Sequence, residues 1–241
     1  DHAHTLGVDF YRCFTLKHQM RKYFFFGEYL DPAYRRRMFD GAKIWTEQEP
    51  LRRPHPVYGT GGKGGVWGPD NKGSWVDVRG TDNLRAMRDT SVYLMAEETG
   101  NEATRQLYKT KLRHYVQTLY NVGMSEWDSS AYHGHTLCPY HNLYDFAKDA
   151  EVKALAKAAL DWLYAAGAFK FWRGGFGGPV CREYGSGNAV FGGGVTHPLG
   201  LYFDAAPIPD PRPDRDDLYL ITSVYRPPQA VVALARKEFP R

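Results

Sequence analysis

The 241-residue chain contains little cysteine, no long apolar run and no large excess of one charge. Three cysteines, Cys13, Cys138 and Cys181, are too few for a disulfide scaffold and do not identify a redox compartment. No apolar stretch approaches the ~20 residues of a spanning helix, so we expect no membrane span. The net charge is only +4, and the one basic run is Arg35 to Arg37, so nothing predicts a nucleic-acid binder.

A signal peptide is also missing from the given sequence, which opens at Asp1 without Met, a basic segment or an apolar segment. The sequence ends as abruptly, and we therefore expect a fragment or an excised region of a longer protein. Hydrophobic residues make up 43% and charged residues 24%, which is typical of a globular chain. We predict one domain over residues 1–241.

Apolar spacing and capping residues predict a mostly helical chain. Asp31-Pro32 is typical of a helix start, Gly100 of a helix end, and Asn101 of the next start. Helices are predicted over Val8 to Phe26, Pro32 to about Trp45, Asn83 to about Glu98, from Asn101 past Leu119, from between Ser130 and Pro139 to near Lys148, from about Ala150, and near Pro198 to Phe203 and Pro228 to Lys237. The sixth carries an apolar stripe of Val152, Leu155, Ala156, Ala159 and Leu163.

Short and long connections alternate along these helices. Tight turns are predicted at Gly27 to Leu30, Glu98 to Asn101 and Lys148 to Ala150. Long connections are predicted at Pro50 to Gly80, Asn121 to about Leu137 and Gly167 to His197. Because tight turns make antiparallel helical hairpins, repeated hairpins place every long loop at one end. The predicted fold is all-α, with hairpins forming an (α/α) toroid or partial toroid and the long loops on one rim.

Two patterns suggest ligands that we do not expect. Gly59 to Gly65 resembles a phosphate-binding loop but lacks the Gly-Lys-Ser/Thr ending and a preceding strand, so a flexible lid is the better interpretation. His133, His135, Cys138 and His141 lie within nine residues, yet their spacing fits no standard zinc pattern. We therefore predict neither a metal nor a cofactor.

Polar residues that suit β-elimination on a uronate are predicted at the rim. That reaction neutralises the substrate carboxylate, removes the C5 proton and protonates the leaving O4, for which Arg, Asn, His and Tyr are suited. Parallel placement of two helices brings Asn83, Tyr132 and His133 to one rim, while Tyr140 and His141 lie about two turns further in. The third long loop adds Arg173 and Arg182.

Two carboxylates keep a hydrolase open as an alternative. Glu126 and Asp128 can be the acid and the base or nucleophile of a glycosidase, but their separation in a loop cannot be read. In the structural interpretation, Asp128 caps the following helix and Glu126 orients a neighbour. A third possibility is a non-catalytic glycan-binding solenoid, in which Trp67, Trp75, Trp127 and Trp172 stack on sugars.

The segment from Gly123 to Tyr184 resembles the α/α-toroid polysaccharide lyases and heparinase-like proteins of bacteria. The similarity lies in Gly-Met-Ser-Glu-Trp-Asp-Ser-Ser-Ala-Tyr from Gly123, in Leu-Tyr-Asp-Phe-Ala-Lys-Asp from Leu143, and in the Gly-Gly-X-X-X-Arg-X-Tyr element that begins at Gly177. It covers roughly the middle 100 residues, and the chain is short for a complete toroid and shows no β-sandwich domain. Such proteins are usually exported and act on alginate, glucuronan or related uronates.

The resemblance implies a secreted or periplasmic lyase whose partner is an acidic polysaccharide or oligosaccharide. It implies that Asn83 and Arg182 neutralise the carboxylate, and that His133, Tyr132 or Tyr140 transfers protons. We expect Glu126 near them and substrate contacts from Trp67, Trp75, Trp127, Trp172, Arg173 and His141.

Overall fold

The structure, a computed structural model, describes residues 13–47, 81–127, 129, 131–172, 175–177, 196–203 and 216–238. Over these ranges the chain is mostly helical, which confirms the predicted all-α class. Its contacts divide the chain into two compact units, Asp1–Leu112 and Arg113–Arg241.

Nine α-helices and one two-stranded hairpin occur within those ranges. The helices are α1 (Cys13–Phe25), α2 (Pro32–Glu47), α3 (Asp82–Thr99), α4 (Glu102–Asn121), α5 (Tyr132–Phe146), α6 (Ala150–Lys170), α7 (Thr196–Phe203), α8 (Asp217–Thr222) and α9 (Gln229–Ala235). A 3₁₀ turn, Gly27–Tyr29, separates α1 from α2. Strands β1 (Phe171–Trp172) and β2 (Gly175–Phe176) pair antiparallel, with Phe171 opposite Phe176.

The predicted capping residues make the expected contacts. The Asp31 carboxylate accepts a hydrogen bond from the Tyr34 N–H at 2.8 Å, with Pro32 as the first residue of α2. Gly100 ends α3 with φ of 77°, a left-handed conformation that costs glycine little. Asn101 then accepts from the Thr104 N–H. These helix boundaries therefore follow from local sequence.

In the first unit, α1 and α2 both pack on α3. Their buried apolar residues recur at helical spacing, Leu16, Met20 and Tyr23 on α1 and Met38, Ala42 and Trp45 on α2. Helix α3 is buried over nearly its whole length, because it receives both neighbours. This unit is thus a small three-helix core extended by the start of α4.

In the second unit, α5 and α6 form a hairpin across the tight turn Ala147–Asp149. The Asp149 carboxylate caps α6 by accepting from the N–H groups of Glu151 and Val152. Four residues of the predicted α6 stripe are buried, and Leu155 is half-buried. Helix α9 also packs on α6, and α7 contacts α6, α8 and α9.

The predicted end of α6 and the predicted extent of the second long connection were wrong. Helix α6 runs to Lys170 instead of ending before Gly167, because Gly167 is not a breaker here. A Cβ on Gly167 would lie 3.0 Å from the Leu199 side chain, so its hydrogen allows α7 to approach. Helix α5 begins at Tyr132, within the predicted interval from Ser130 to Pro139. The second long connection therefore covers residues 122–131 and does not extend to about Leu137.

Helix α8 was not predicted at all. It lies along α5, since Asp216 at its start contacts His135, its Tyr219 and Leu220 pack with Cys138, and Ser223 just beyond it contacts His141. None of the helices in the described ranges combines the length and apolar character that crossing a membrane requires.

Candidate functional site

A buried turn leads into the start of α5. Its Ser129 N–H donates to the Glu126 carbonyl at 3.2 Å. The Ser129 hydroxyl then accepts from the Tyr132 N–H at 3.2 Å, and the Ser129 carbonyl accepts from the His133 N–H at 3.0 Å. Ser129 therefore caps the helix. Asp128, which we predicted as a possible cap or hydrolase carboxylate, lies outside the described residues.

The end of α6 lies against this turn. The Lys170 ammonium sits 4.7 Å from the centre of the Trp127 ring, and the His133 ring meets Phe176 of the β-hairpin at 5.9 Å. Trp127 is 47% exposed and Trp172 56% exposed. Both indoles are thus exposed to solvent, and the half-buried Lys170 places its ammonium against one of them, Trp127.

His133 is fully buried beneath the hairpin. Its Nε2 lies 2.9 Å from the Leu163 carbonyl oxygen. Because a carbonyl only accepts, Nε2 must carry the hydrogen, so His133 ties α5 to α6. Glu126 is also buried, at 2% exposure. The predicted catalytic roles of both stay predictions, since neither side chain is exposed to solvent.

Tyr132 and His135 contact each other, and His135 also contacts the start of α8. Their rings meet edge to face with centroids 6.1 Å apart, and His135 Nδ1 lies 3.3 Å from Asp216 Oδ2 at the start of α8. The Tyr132 side chain is half-buried, and the His135 side chain is 15% exposed. A phenol, an imidazole and a carboxylate therefore lie side by side here, and the proton-transfer role of Tyr132 stays a prediction.

Tyr140 lies deeper on α5, about 12 Å along the helix axis from Tyr132 at 1.5 Å per residue. It is buried and stacks on Tyr115, with centroids 6.0 Å apart and the rings nearly parallel. A proton-transfer role for Tyr140 therefore stays a prediction, in which substrate must reach into the helical core.

His141 belongs to a buried network. Its Nε2 lies 2.7 Å from the Tyr164 hydroxyl and its Nδ1 lies 3.0 Å from the Ser223 hydroxyl. Ser223 in turn donates to Asp145 at 2.9 Å and accepts from the Tyr225 N–H. Since the Ser223 hydrogen goes to Asp145, His141 Nδ1 donates its own, and Nε2 accepts from Tyr164.

This network joins α5, α6 and the chain after α8. Burial raises the pKa of the Tyr164 hydroxyl well above its usual range, so it remains a donor. Burial and the hydrogen bond to Asp161 likewise raise the pKa of Tyr225. The predicted sugar contact by His141 stays a prediction, because its ring is enclosed by these partners and by Tyr202, which stacks on it.

The other predicted residues fall in two groups. Trp67, Trp75, Arg173 and Arg182 lie outside the residues that the structure describes. Asn83 is buried in the first turn of α3 and belongs to the first unit, whereas the other candidates that the structure describes belong to the second. Its grouping with Tyr132 stays a prediction.

Sequence reasoning did not assign Lys170, Asp216 or Ser223 to a site. His135 was considered only as a metal ligand, although its i,i+3 spacing from Tyr132 on a helix was a signal for a shared face. Within the described ranges, no three His, Cys, Asp or Glu side chains are placed to hold a metal. The three histidines of α5 have different partners: His133 contacts the Leu163 carbonyl, His135 contacts Asp216, and His141 contacts Tyr164 and Ser223.

The chain matches no protein-family model, and no curated protein or solved structure is similar enough to count as a match.

Proposed function

We propose that the protein is a polysaccharide lyase that cleaves a uronate-containing polysaccharide by β-elimination. The observation that supports the proposal is the combination of side chains around the start of α5. A phenol beside an imidazole provides proton transfer, while Trp127 and Trp172 offer exposed indoles and Lys170 offers a cation.

Each part of this set suits one requirement of the reaction. Indole rings bind the apolar face of a sugar, and an ammonium next to the ring attracts the carboxylate that distinguishes a uronate from a neutral sugar. A tyrosine hydroxyl can protonate the leaving O4, as proposed for Tyr132. Arg182 neutralises the carboxylate at the reacting sugar, as the family resemblance implies.

The proposal includes the arrangement of the helices and the site of action. The α5–α6 hairpin is one repeat of an (α/α) toroid or partial toroid, and its long connections lie on the substrate rim. The protein acts outside the cytoplasm, secreted or periplasmic, on alginate, glucuronan or a related polyuronate.

Substitution of Tyr132 tests the proton-transfer role. Wild-type protein should release an ultraviolet-absorbing unsaturated sugar from a polyuronate, and Tyr132→Phe should lose about 10²-fold or more in kcat. Tyr29→Phe is the matched control, because that tyrosine is 86% exposed and belongs to the other unit. If Tyr132→Phe retains full activity while Glu126→Gln is inactive and no unsaturated product forms, a glycoside hydrolase with Glu126 as its acid replaces the proposal.

Substitution of Lys170 tests the recognition of the carboxylate. Lys170→Gln should raise KM for a polyuronate about tenfold, which is the usual size of one lost charge-assisted hydrogen bond. Lys111→Gln is a close control, because the Lys111 ammonium also lies 4.7 Å from a ring centre, that of the buried Tyr108. Equal KM values for the two variants would remove Lys170 from the substrate site.

A further inference from the structure

Asp216, the residue just before α8, places a buried carboxylate against the imidazole of His135. Asp216 Oδ2 lies 3.3 Å from His135 Nδ1, and the exposed fractions of the two side chains are 3% and 15%. The histidine therefore lies nearer to solvent than the carboxylate that it contacts. A carboxylate at one ring nitrogen restricts the orientation of an imidazole ring.

The contact also selects the tautomer of His135. An ionised carboxylate only accepts hydrogen bonds, so the nitrogen facing it, Nδ1, carries the hydrogen. Nε2 is then the basic nitrogen of the ring. His133 is the opposite case, because its Nε2 donates to the Leu163 carbonyl and its ring is fully buried.

We infer that His135 is the general base of the proposed elimination and that Asp216 is the positioning residue that holds its ring. This inference rests on the proposed function. The base is therefore His135, which the sequence suggested only as a zinc ligand, and not His133.

Two side chains near the start of α5, His135 and Tyr132, account for every proton that the elimination moves. His135 Nε2 takes the C5 proton of the uronate, and the electron pair of that bond forms the C4–C5 double bond. The C4–O4 bond breaks, and the leaving oxygen takes the proton of the Tyr132 hydroxyl. The imidazolium then returns a proton to the phenolate, whose ring lies edge to face with it at 6.1 Å. In sum, one proton moves from C5 to O4.

The packing of α8 holds Asp216 in register with His135. Three contacts follow one another along α5: Asp216 at His135, Tyr219 and Leu220 at Cys138, and Ser223 at His141. Their spacing of three residues on α5 matches one helical turn, so the two helices run side by side in the same direction. The buried network at Ser223 thereby fixes the far end of α8.

His135→Ala with imidazole rescue tests the inference on the full chain. We expect kcat on a polyuronate to fall about 10²-fold or more with KM changed less than threefold, since a lost general base slows chemistry more than binding. Added imidazole should restore part of kcat, which a merely structural role would not allow. His114→Ala is the control, because His114 is exposed on α4.

The tautomer of His135, compared between wild-type protein and Asp216→Asn, can be measured without turnover. In wild-type protein, nitrogen NMR should show the hydrogen of neutral His135 on Nδ1, and Asp216→Asn should shift the population toward the Nε2–H tautomer and lower kcat. A wild-type ring protonated on Nε2 overturns the inference.

The outcomes separate the two proposals. Suppose that the wild type is active and that His135→Ala either keeps its kcat or loses it without rescue by imidazole. Either result overturns the assignment of His135 as the base, while the lyase proposal remains. A wild type that releases no unsaturated sugar overturns the lyase, and with it the catalytic role of His135, while the tautomer spectrum still shows whether Asp216 holds the ring.

Discussion

Replacement of Ser223 by alanine should destabilise the second unit strongly, because one small hydroxyl joins three partners. The hydroxyl donates to Asp145, accepts from the Tyr225 N–H and accepts from His141 Nδ1, at 2.9 to 3.1 Å. Ser223 is only 3% exposed. At about 1 kcal/mol for each hydrogen bond, the expected loss in the free energy of unfolding is about 3 kcal/mol.

Urea unfolding followed by circular dichroism measures this loss. Thr222→Ala is the matched control, because the neighbouring hydroxyl donates to the Leu218 carbonyl of its own helix and to no other group in the described part of the chain. The control should lose no more than about 0.5 kcal/mol, as is usual for a substitution outside a buried network. If Ser223→Ala loses as little as the control, the hydrogen-bond network does not hold the chain after α8 to α5.

Three further predictions concern helix ends and alkaline stability. Asp149→Ala removes the cap of α6 and should lower the free energy of unfolding in urea by about 1 kcal/mol. An unchanged unfolding midpoint would show that the cap does not stabilise the protein. Gly100→Ala should cost about 1 kcal/mol through its φ of 77° alone, since among the described residues none beyond its chain neighbours has an atom within 4 Å of the new Cβ. A stabilised variant would contradict this. Burial and the Glu98 carboxylate raise the pKa of Tyr23 to about 12. As the pH rises, the unfolded chain therefore loses this proton first, so the free energy of unfolding should fall between pH about 10 and 12. The fall should be less steep in Tyr23→Phe. An equal slope in the two proteins would refute this cause.

Local signals in the sequence were enough to place most helices. Asp31-Pro32, Gly100 and Asn101 act within four residues of where they stand, through caps and a left-handed turn. Such effects do not depend on the rest of the fold, so the pattern predicts them directly. The apolar stripe of α6 was predictable for the same reason, because its period of 3.6 residues is itself the signal.

The errors came from contacts between distant parts of the chain. Gly167 resembles a helix breaker, but it lies inside α6 because Leu199 needs the space that a side chain would fill. Helix α8 has only six residues, too few for a clear period, and its position is fixed by packing on α5.

The candidate site was predictable only in part. Tyr132 and His135 are three residues apart on one helix, so their shared face is implied by the spacing. The pairing of His135 with Asp216 spans 81 residues, and nothing in either local segment indicates it. The burial of His133 and His141 also depends on partners far along the chain, at Leu163 and Ser223.

The central claim is that the chain breaks a uronate linkage by elimination and not by hydrolysis. Mass spectrometry of the products formed in water labelled with heavy oxygen tests it most directly. Elimination adds no water, so the new ends should carry no labelled oxygen when quenched at once, and one product should be lighter by one water than its hydrolytic counterpart. Labelled oxygen in the new ends together with products of full mass would contradict the account, as would the absence of any cleavage of polyuronates.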